Sequence, residues 1–266
     1  MTEPLVSAAW LRDHRDDVVL LDASIDRTPE GGFGSGAAAF AAAHILGARF
    51  ADIHTGFSDP TAAFPFTLPS LPQLHETAQT LGVRDTARVI LYDRNGGAWA
   101  ARIWWLLRIH GHPAVSVLDG GLSAWTALGL PLAAGPPPPP AEPAPLTLHE
   151  PGPVTAGLDE VLRGSSTGTL VCALRQERFE AGHIPGSTSL PYPELLRADG
   201  TVDVAVVRER AAGLTPDTIV YCGGGINAAG LLLALDAAGL PLPRLYDGSL
   251  TEWRSDPSRP LDTGAG

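Results

Sequence analysis

Lysine is missing from this sequence of 266 residues, because all 18 basic residues are arginine. Without lysine the chain cannot form a Schiff base through a side chain, and it cannot supply the lysine of a P-loop. The arginines are outnumbered by 29 acidic residues, and the resulting formal net charge of −11 disfavours a polyanion as the main partner. The composition therefore argues against a nucleic-acid partner.

Cysteine is scarce as well. The chain contains 2 cysteines, Cys172 and Cys222, which lie far apart and form no CxxC motif. This spacing predicts neither a disulfide framework nor a structural zinc site. The histidines also lack the spacing of metal ligands, so we expect no metal ion. Each cysteine has to be interpreted on its own.

Long hydrophobic runs are absent too. No apolar run reaches the roughly 18 residues that a membrane-spanning helix needs, and Met1–Asp13 shows no secretory signal. Hydrophobic residues make up 44% of the chain and charged residues 18%, which is typical of a globular protein and argues against general disorder. We therefore expect a cytoplasmic protein with no membrane partner.

The sequence does contain an internal repeat. Three segments of the first half recur in the same order in the second: Ala43–Ala48 as Gly182–Ser187, Val89–Asp93 as Thr218–Cys222, and Leu118–Trp125 as Tyr246–Trp253. Such repetition indicates a duplicated domain. The proline-rich stretch between the copies cannot lie inside a helix or a sheet. We expect domains over residues 1–135 and 154–266, joined by a linker over residues 136–153.

Each copy alternates short apolar strands with helical stretches, a pattern typical of α/β proteins. The predicted strands are Val18–Leu21, Arg88–Tyr92, Val115–Leu118, Thr169–Ala173, Thr218–Tyr221 and Arg244–Tyr246. The predicted helices are Ala98–His110, Leu158–Arg163, Val204–Gly213 and Asn227–Gly239. We expect two α/β domains of similar topology, each with a mainly parallel sheet flanked by helices.

The strongest chemical signal is the segment that follows the strand ending at Tyr221. It reads Cys222-Gly223-Gly224-Gly225-Ile226, and a helix begins at Asn227 or Ala228. Consecutive N–H groups of such a glycine-rich turn can converge on one point, next to the positive end of the helix dipole. Cysteine thiolates are stabilised at such positions, so Cys222 is a candidate nucleophile. In the first copy the equivalent residue is Asp93, which has no thiol.

These features resemble the tandem rhodanese-like sulfurtransferases, which include thiosulfate and 3-mercaptopyruvate sulfurtransferases. The resemblance is carried by Leu21–Ser24, His44-Ile45, Tyr92–Arg94, Arg102–Trp105, Leu118–Leu122, Arg178-Phe179, Gly182–Gly186, the Cys222 loop, Tyr246–Ser249 and Glu252-Trp253. It implies an inactive N-terminal rhodanese-like domain and a catalytic C-terminal one, with no cofactor. It also implies that Cys222 becomes a persulfide, held by the N–H groups of residues 223 to 228 as in an oxyanion hole.

The chain departs from this family at several substrate-binding positions. The loop has Gly224 and Asn227 where mercaptopyruvate enzymes usually carry serine and threonine. Cys172 stands where the family usually has aspartate, and we consider it a candidate sulfur-relaying thiol. Three residues remain as candidate ligands for the donor or as an acid/base group: Arg175, His54 and Arg94.

Other functions of this fold are considered as alternatives. Phosphatases with a cysteine loop need an arginine where this chain has Ala228, so phosphate-ester hydrolysis is disfavoured. A non-catalytic binding or regulatory module and a protein-persulfide relay remain as alternatives. For the enzyme we expect a small sulfur donor such as 3-mercaptopyruvate or thiosulfate. The expected acceptor is a thiol, cyanide or a sulfur-carrier protein, and the expected oligomeric state is a monomer or a homodimer.

Overall fold

The computed structural model describes residues 2–29, 31–139, 141–164 and 169–265. The chain forms two compact units. The first runs up to Thr61 and includes Leu68–Pro151 and Ala198–Thr201; the second comprises Ala62–Thr67, Gly152–Arg197 and the chain from Val202 onwards. Among the residues described, no helix is both long and apolar enough to cross a membrane.

The first unit is built on a five-stranded parallel sheet in the order β1-β8-β7-β2-β6, with two small antiparallel pairs, β3-β4 and β5-β9. Its strands are β1 (Leu5–Val6), β2 (Val18–Asp22), β3 (Ile25–Arg27), β4 (Phe33–Ser35), β5 (His44–Ile45), β6 (Arg49–Phe50), β7 (Arg88–Tyr92), β8 (Val115–Leu118) and β9 (Leu132–Ala133). Its helices are α1 (Ala8–His14), α2 (Ala37–Ala42), α3 (Leu71–Thr80), α4 (Ala98–Ile109) and α5 (Gly121–Ala127), with a 3-10 turn at Arg15–Asp17.

The second unit repeats this sheet, with five parallel strands in the order β10-β14-β13-β11-β12. Its strands are β10 (Thr155–Ala156), β11 (Leu170–Cys172), β12 (Ser187–Ser189), β13 (Ile219–Tyr221) and β14 (Arg244–Tyr246). Its helices are α6 (Leu158–Gly164), α7 (Gln176–Glu180), α8 (Val204–Arg210), α9 (Ile226–Ala237) and α10 (Ser249–Arg254), with a 3-10 turn at Tyr192–Leu195. The prediction of two α/β domains with parallel sheets flanked by helices is confirmed.

The central strands are buried over most of their length, as expected for a parallel sheet covered on both faces. In β13 all three residues are buried, and in β7 only Arg88 is partly exposed. The predicted strands Arg88–Tyr92, Val115–Leu118 and Arg244–Tyr246 match the structure residue for residue. Short, mainly apolar segments therefore predicted these three strands well.

Five of the eight predicted helix ends differ from the structure, by one to three residues. The helix expected to reach Gly213 ends at Arg210, after which a short turn brings the Leu214 N–H to the carbonyl of Ala211. The helix expected to start at Asn227 begins one residue earlier, because Gly225 adopts the left-handed conformation (φ +80°) that turns the chain into α9. α9 itself ends at Ala237, and Gly239 (φ +70°) follows as its left-handed cap.

Equivalent histidine contacts fix the same turn in both units. His44 stacks on Phe40 with ring centroids 4.0 Å apart, and its Nδ1 lies 2.8 Å from the Phe40 carbonyl. His183 stacks on Phe179 at 3.7 Å, and its Nδ1 lies 2.9 Å from the Phe179 carbonyl. Both histidines are buried, and each Nδ1 atom bonds to the backbone of its own unit. The repeat seen in the sequence is therefore a repeat of packing.

The proline-rich segment packs on the first unit. Pro139 accepts a hydrogen bond from Arg49, the Ala141 N–H donates to the Thr80 carbonyl at 2.8 Å, and the Thr147 N–H donates to Asp85 at 2.6 Å. Pro140 lies outside the described residues. The segment is thus bound along the first unit, and the linker boundaries 136–153 stay a prediction.

Candidate active site

Cys222 lies where β13 ends and the loop to α9 begins. Ligands of open parallel sheets bind outside the carboxyl ends of the strands, and Cys222 occupies that edge in the second unit. The residue is 2% exposed. The four-residue loop Cys222–Gly225 then leads into a 12-residue helix.

The backbone N–H groups around this loop are largely unused. In the part of the chain that the structure describes, the N–H groups of Gly223, Gly224, Asn227 and Ala228 donate to no hydrogen bond. For Asn227 and Ala228 the reason is position, because the first turn of a helix has no preceding carbonyls to accept. The same groups carry the positive end of the α9 dipole. The loop therefore presents several free donors in a setting that favours negative charge.

The first unit shows what such a loop can hold. Asp93 follows β7 as Cys222 follows β13, and its carboxylate accepts four backbone N–H bonds. They come from Asn95 at 2.7 Å, Gly97 at 2.8 Å, Trp99 at 3.0 Å and Ala100 at 2.9 Å. Burial raises the pKa of Asp93, while the N–H bonds from Ala100, Asn95 and Gly97 oppose the shift. The loop of the first unit is thus an anion-binding turn occupied by its own side chain.

The two loops correspond through their helix starts. Gly97 precedes α4 with φ +83°, and Gly225 precedes α9 with φ +80°. Counting from these glycines, Trp99 and Ala100 correspond to Asn227 and Ala228. The second unit therefore keeps the helix-start donors that bind the Asp93 carboxylate, but has a thiol in place of the carboxylate.

A segment after β14 holds the opposite side of the Cys222 loop. The Ser249 hydroxyl accepts the N–H groups of Cys222 and Gly225, both at 3.2 Å. Thr251 donates to the Gly223 carbonyl through both its N–H (3.0 Å) and its Oγ1 (2.7 Å). Sequence reasoning missed both residues as part of the site. A comparison of the two copies could have found them. Ser249 aligns with Gly121, and Thr251 aligns with Ser123, in the copy that has no cysteine.

Apolar groups lie beside the middle of the loop. A Cβ atom on Gly224 would lie 3.6 Å from the Phe66 ring and 3.6 Å from the Pro65 carbonyl, all within the second unit. Phe66 is buried and has a left-handed backbone (φ +64°), which is unusual for a bulky residue. A Cβ atom at position 224 would make ordinary van der Waals contact with this wall, so the space around Gly224 does not itself require a glycine.

Arg175 belongs to the turn that flanks the loop. It directly precedes α7, and its carbonyl accepts the N–H groups of Arg178 and Phe179. Its side chain is exposed and makes no hydrogen bond or ion pair within the described residues. The preceding residue, Leu174, lies 3.9 Å from where a Cβ atom of Gly223 would be. The structure therefore brings the Arg175 turn next to the Cys222 loop, while binding of substrate by Arg175 stays a prediction.

Cys172 is a core residue on the neighbouring strand. It pairs in register with Tyr221 and packs in the core cluster that contains Phe179 and Trp253. Burial raises the pKa of the Cys172 thiol to about 12, against hydrogen bonds from Leu174 and Tyr221 that lower it. Since thiol exchange requires the thiolate, this environment favours a structural role. The relay stays a prediction.

His54 and Arg94 both belong to the first unit. The His54 N–H donates to Asp52 at 3.0 Å, and its side chain is half-buried. The Arg94 guanidinium donates to Ser24 (3.2 Å) and to the Ala43 carbonyl (2.6 Å), and it lies 3.8 Å from the Asp22 carboxylate. These contacts hold Arg94 against its own unit. Substrate roles for both residues stay predictions.

The described part of the chain contains no group of three or more His, Cys, Asp or Glu side chains placed to hold a metal ion. Both cysteines are free thiols.

Comparison with known proteins agrees with the duplicated architecture. The family model described as "Rhodanese-like domain" matches residues 7–128 and 159–256. A Pseudomonas aeruginosa protein named "Probable 3-mercaptopyruvate sulfurtransferase" is 37% identical over 86% of this chain and 87% of its own length. The human 3-mercaptopyruvate sulfurtransferase is 33% identical over 84% of this chain and 82% of its own.

A comparison with solved structures also finds the rhodanese fold. The crystal structure of SseA from Escherichia coli, described as a 3-mercaptopyruvate sulfotransferase with the rhodanese fold, superposes with a TM-score of 0.80 at 29% identity. The match covers 94% of this chain and 99% of that one.

Proposed function

Because this chain belongs to the rhodanese family and is a sulfurtransferase, we propose that Cys222 is the residue that carries the transferred sulfur, as a persulfide. The observation that supports this assignment is the set of free N–H groups around the loop of Cys222. In the first unit the equivalent turn binds the Asp93 carboxylate through four N–H bonds. The second unit offers an anion-binding turn of the same kind, with a thiol at its first residue.

The reaction has two half-reactions. In the first, the Cys222 thiolate attacks the outer sulfur of the donor and forms an S–S bond. The bond between that sulfur and the rest of the donor breaks, and its electron pair leaves with the donor remnant. In the second, a thiolate or cyanide attacks the terminal sulfur, forms a new bond to it and returns the electron pair to Cys222 as thiolate.

The loop stabilises the negative sulfur species of this cycle. Preorganised N–H donors act most strongly on charge that develops where water is excluded. Cys222 is buried, and the N–H groups of Gly223, Gly224, Asn227 and Ala228 are the available donors. Asp93 has no nucleophilic sulfur, so the first copy takes no part in covalent chemistry.

The preferred donor in this proposal is a small carboxylate such as 3-mercaptopyruvate, the donor in the names of the relatives described above. The loop itself supplies no side-chain cation, because Gly223 and Gly224 follow the cysteine. Arg175 can supply one, since its guanidinium is exposed and unpaired among the described residues and the neighbouring Leu174 side chain lies next to Gly223. A guanidinium binds a carboxylate through two parallel hydrogen bonds.

The proposed acceptor is a small thiol, cyanide or a sulfur-carrier protein. Both cysteines are free, so we place the reaction in a reducing compartment, the cytoplasm. The mechanism needs one thiol only and does not require Cys172.

Mass spectrometry of the intact protein tests the proposal. The protein is incubated separately with 3-mercaptopyruvate, thiosulfate and a persulfidated protein, and Cys222→Ser and Cys172→Ala are compared with the wild type. We expect a gain of one sulfur atom in the wild type and in Cys172→Ala, reversed by excess thiol, and no gain in Cys222→Ser.

Loading that persists in Cys222→Ser would overturn the assignment of the carrier. Failure of all three donors to load a wild-type Cys222 that still reacts with iodoacetamide would also overturn the proposal, in favour of a binding module.

A further inference from the structure

The backbone of the Cys222 loop is bound by one short segment, which we call the α10 anchor and define as Ser249, Leu250 and Thr251. The Leu250 N–H donates to the Cys222 carbonyl at 3.0 Å. The Thr251 N–H and Oγ1 donate to the Gly223 carbonyl at 3.0 and 2.7 Å. Two successive carbonyls are therefore turned toward α10.

Peptide geometry gives these bonds a consequence for the N–H groups. In a trans peptide the C=O and the N–H point in opposite directions. Fixing the Cys222 and Gly223 carbonyls toward α10 thus directs the N–H groups of Gly223 and Gly224 away from it. Glycine peptides can reorient easily, because no side chain restricts their backbone. Without the anchor, a flipped peptide would place a carbonyl oxygen where a donor is needed.

Ser249 fixes both ends of the loop through one oxygen. Its hydroxyl accepts from the N–H groups of Cys222 and Gly225 and donates to the Tyr246 carbonyl at 2.8 Å. A serine hydroxyl has one proton and two acceptor sites, so these three bonds use its full capacity. The side chain is fully buried. Ser249 therefore has no proton left for the chemistry and acts on the backbone.

The copy without cysteine lacks these side-chain bonds. The bond from Leu250 is kept, because the Leu122 N–H donates to the Asp93 carbonyl at 3.0 Å. The serine position is Gly121 (φ +56°), where a Cβ atom would lie 2.2 Å from the Asp93 carbonyl oxygen. Ser249 keeps a similar left-handed backbone (φ +50°), which is unfavourable for any residue except glycine. The second copy tolerates this backbone and gains the hydroxyl.

The two copies thus organise their loops in different ways. In the first copy the Asp93 carboxylate gathers the N–H groups itself. A thiol cannot do this before it ionises, so the N–H groups around Cys222 have to be set in advance. We propose that Ser249 and Thr251 are positioning residues of the sulfur-transfer site, which hold the peptides of Gly223 and Gly224 so that their N–H groups face the Cys222 sulfur.

This inference rests on the proposed function of Cys222, and alkylation provides a test that needs no sulfur donor. In a Cys172→Ala background, the rate of iodoacetamide reaction at Cys222 is measured between pH 6 and pH 10. Thr251→Val removes the hydroxyl and keeps the shape and the N–H bond. Ser249→Gly installs the residue that the first copy uses.

We expect each variant to react about tenfold more slowly than the parent near pH 7. This is less than the roughly hundredfold or greater loss caused by deleting an oxyanion-hole donor, because the N–H groups remain present and only their orientation is loosened. The loss should shrink toward pH 10, because the thiol then ionises without help from the loop. Thr251→Ser, which keeps the hydroxyl, should restore the parental rate. With a donor that loads the parent, kcat should fall more than KM rises.

Thr126→Val is the matched control, because the Thr126 hydroxyl bonds the Leu122 and Ser123 carbonyls in the first copy. It should leave the alkylation rate unchanged. Parental alkylation rates in both anchor variants would overturn the inference, even if their melting temperatures fall. An equal loss at all pH values would also overturn it, because it indicates altered access. If no donor loads the wild type, the proposed function fails, and the alkylation comparison still judges the anchor.

Discussion

Replacing Asp93 by asparagine tests whether the loop after the central strand is an anion-binding turn. The substitution keeps the size and shape of the side chain. It changes one of the two carboxylate oxygens into an NH2 group. Whichever oxygen is replaced, two backbone N–H groups then face a donor, because each oxygen accepts two of them.

The magnitude follows from the burial of these groups. The side chain of Asp93 is buried, so water cannot easily replace the lost acceptor. Leaving a buried donor without a partner costs roughly 1–3 kcal/mol, and two donors are affected. Rearrangement of the glycine-rich loop recovers part of this loss. We expect the free energy of unfolding of the first unit to fall by about 3 kcal/mol.

Tryptophan fluorescence during urea unfolding reports on this unit. Of the 6 tryptophans, all but Trp253 lie in the first unit: Trp10, Trp99, Trp104, Trp105 and Trp125. A loss of this size lowers the urea midpoint by about 1–2 M. The control is Asp16→Asn, because the Asp16 side chain is 88% exposed. It should leave the midpoint unchanged.

Cys222 alkylation, followed in the same samples, reports on the second unit. A midpoint for Asp93→Asn that equals the wild-type value would refute the reasoning, because the four N–H bonds would then contribute nothing that an amide cannot replace. The comparison between the Asp93 and Cys222 loops would lose its basis as well.

Two further predictions concern the donor and the pH dependence. Arg175→Gln should raise KM for 3-mercaptopyruvate about tenfold, because it removes one charged hydrogen-bonded contact with the donor. The substitution should not change the alkylation of Cys222 by iodoacetamide, which is neutral. Arg178→Gln, an exposed arginine on the adjoining helix, serves as control, and equal KM values in all three proteins would contradict the assignment. Burial of His112 lowers its pKa from the usual value, so the unfolded chain binds a proton first as the pH falls. Stability of the first unit should therefore decrease as the pH drops through about 6.5, and His112→Gln should reduce that decrease, whereas His14→Gln should not. Urea midpoints at pH 5 and pH 8 check this, and identical pH dependence in all three would contradict it.

The sequence predicted the sheet strands and the repeat because these depend on local patterns. Val89–Leu91 and Ile219–Tyr221 are continuous apolar runs, and such runs form buried strands wherever they are bounded by polar or glycine residues. Helix ends were predicted less well. Gly213 is the residue at which the sequence predicts the end of α8, but the helix ends at Arg210. The residues after it form a turn, in which the Leu214 N–H donates to the Ala211 carbonyl.

Part of the candidate site is visible in the sequence. Cys222 and the glycines after it can be found there, because a candidate nucleophile between a strand and a helix is a local pattern. Thr251 and Ser249 were not found, since their contacts with residues 222–225 join segments that are distant in sequence. The role of Cys172 also depends on tertiary structure, because burial sets the protonation of its thiol.

The sequence by itself determined the duplication and the α/β class, and it offered Cys222 as the candidate reactive thiol. These follow from residue type and spacing, which are properties of the chain before it folds. Only the tertiary structure decided which backbone N–H groups are free to bind an anion and which already have an acceptor. The carboxylate of Asp93 satisfies four N–H groups in one copy, whereas the carbonyls of the Cys222 loop are turned aside in the other. A hydrogen bond depends on the distance between donor and acceptor, within a few tenths of an ångström, and on the angle at the hydrogen. Only the folded chain sets both.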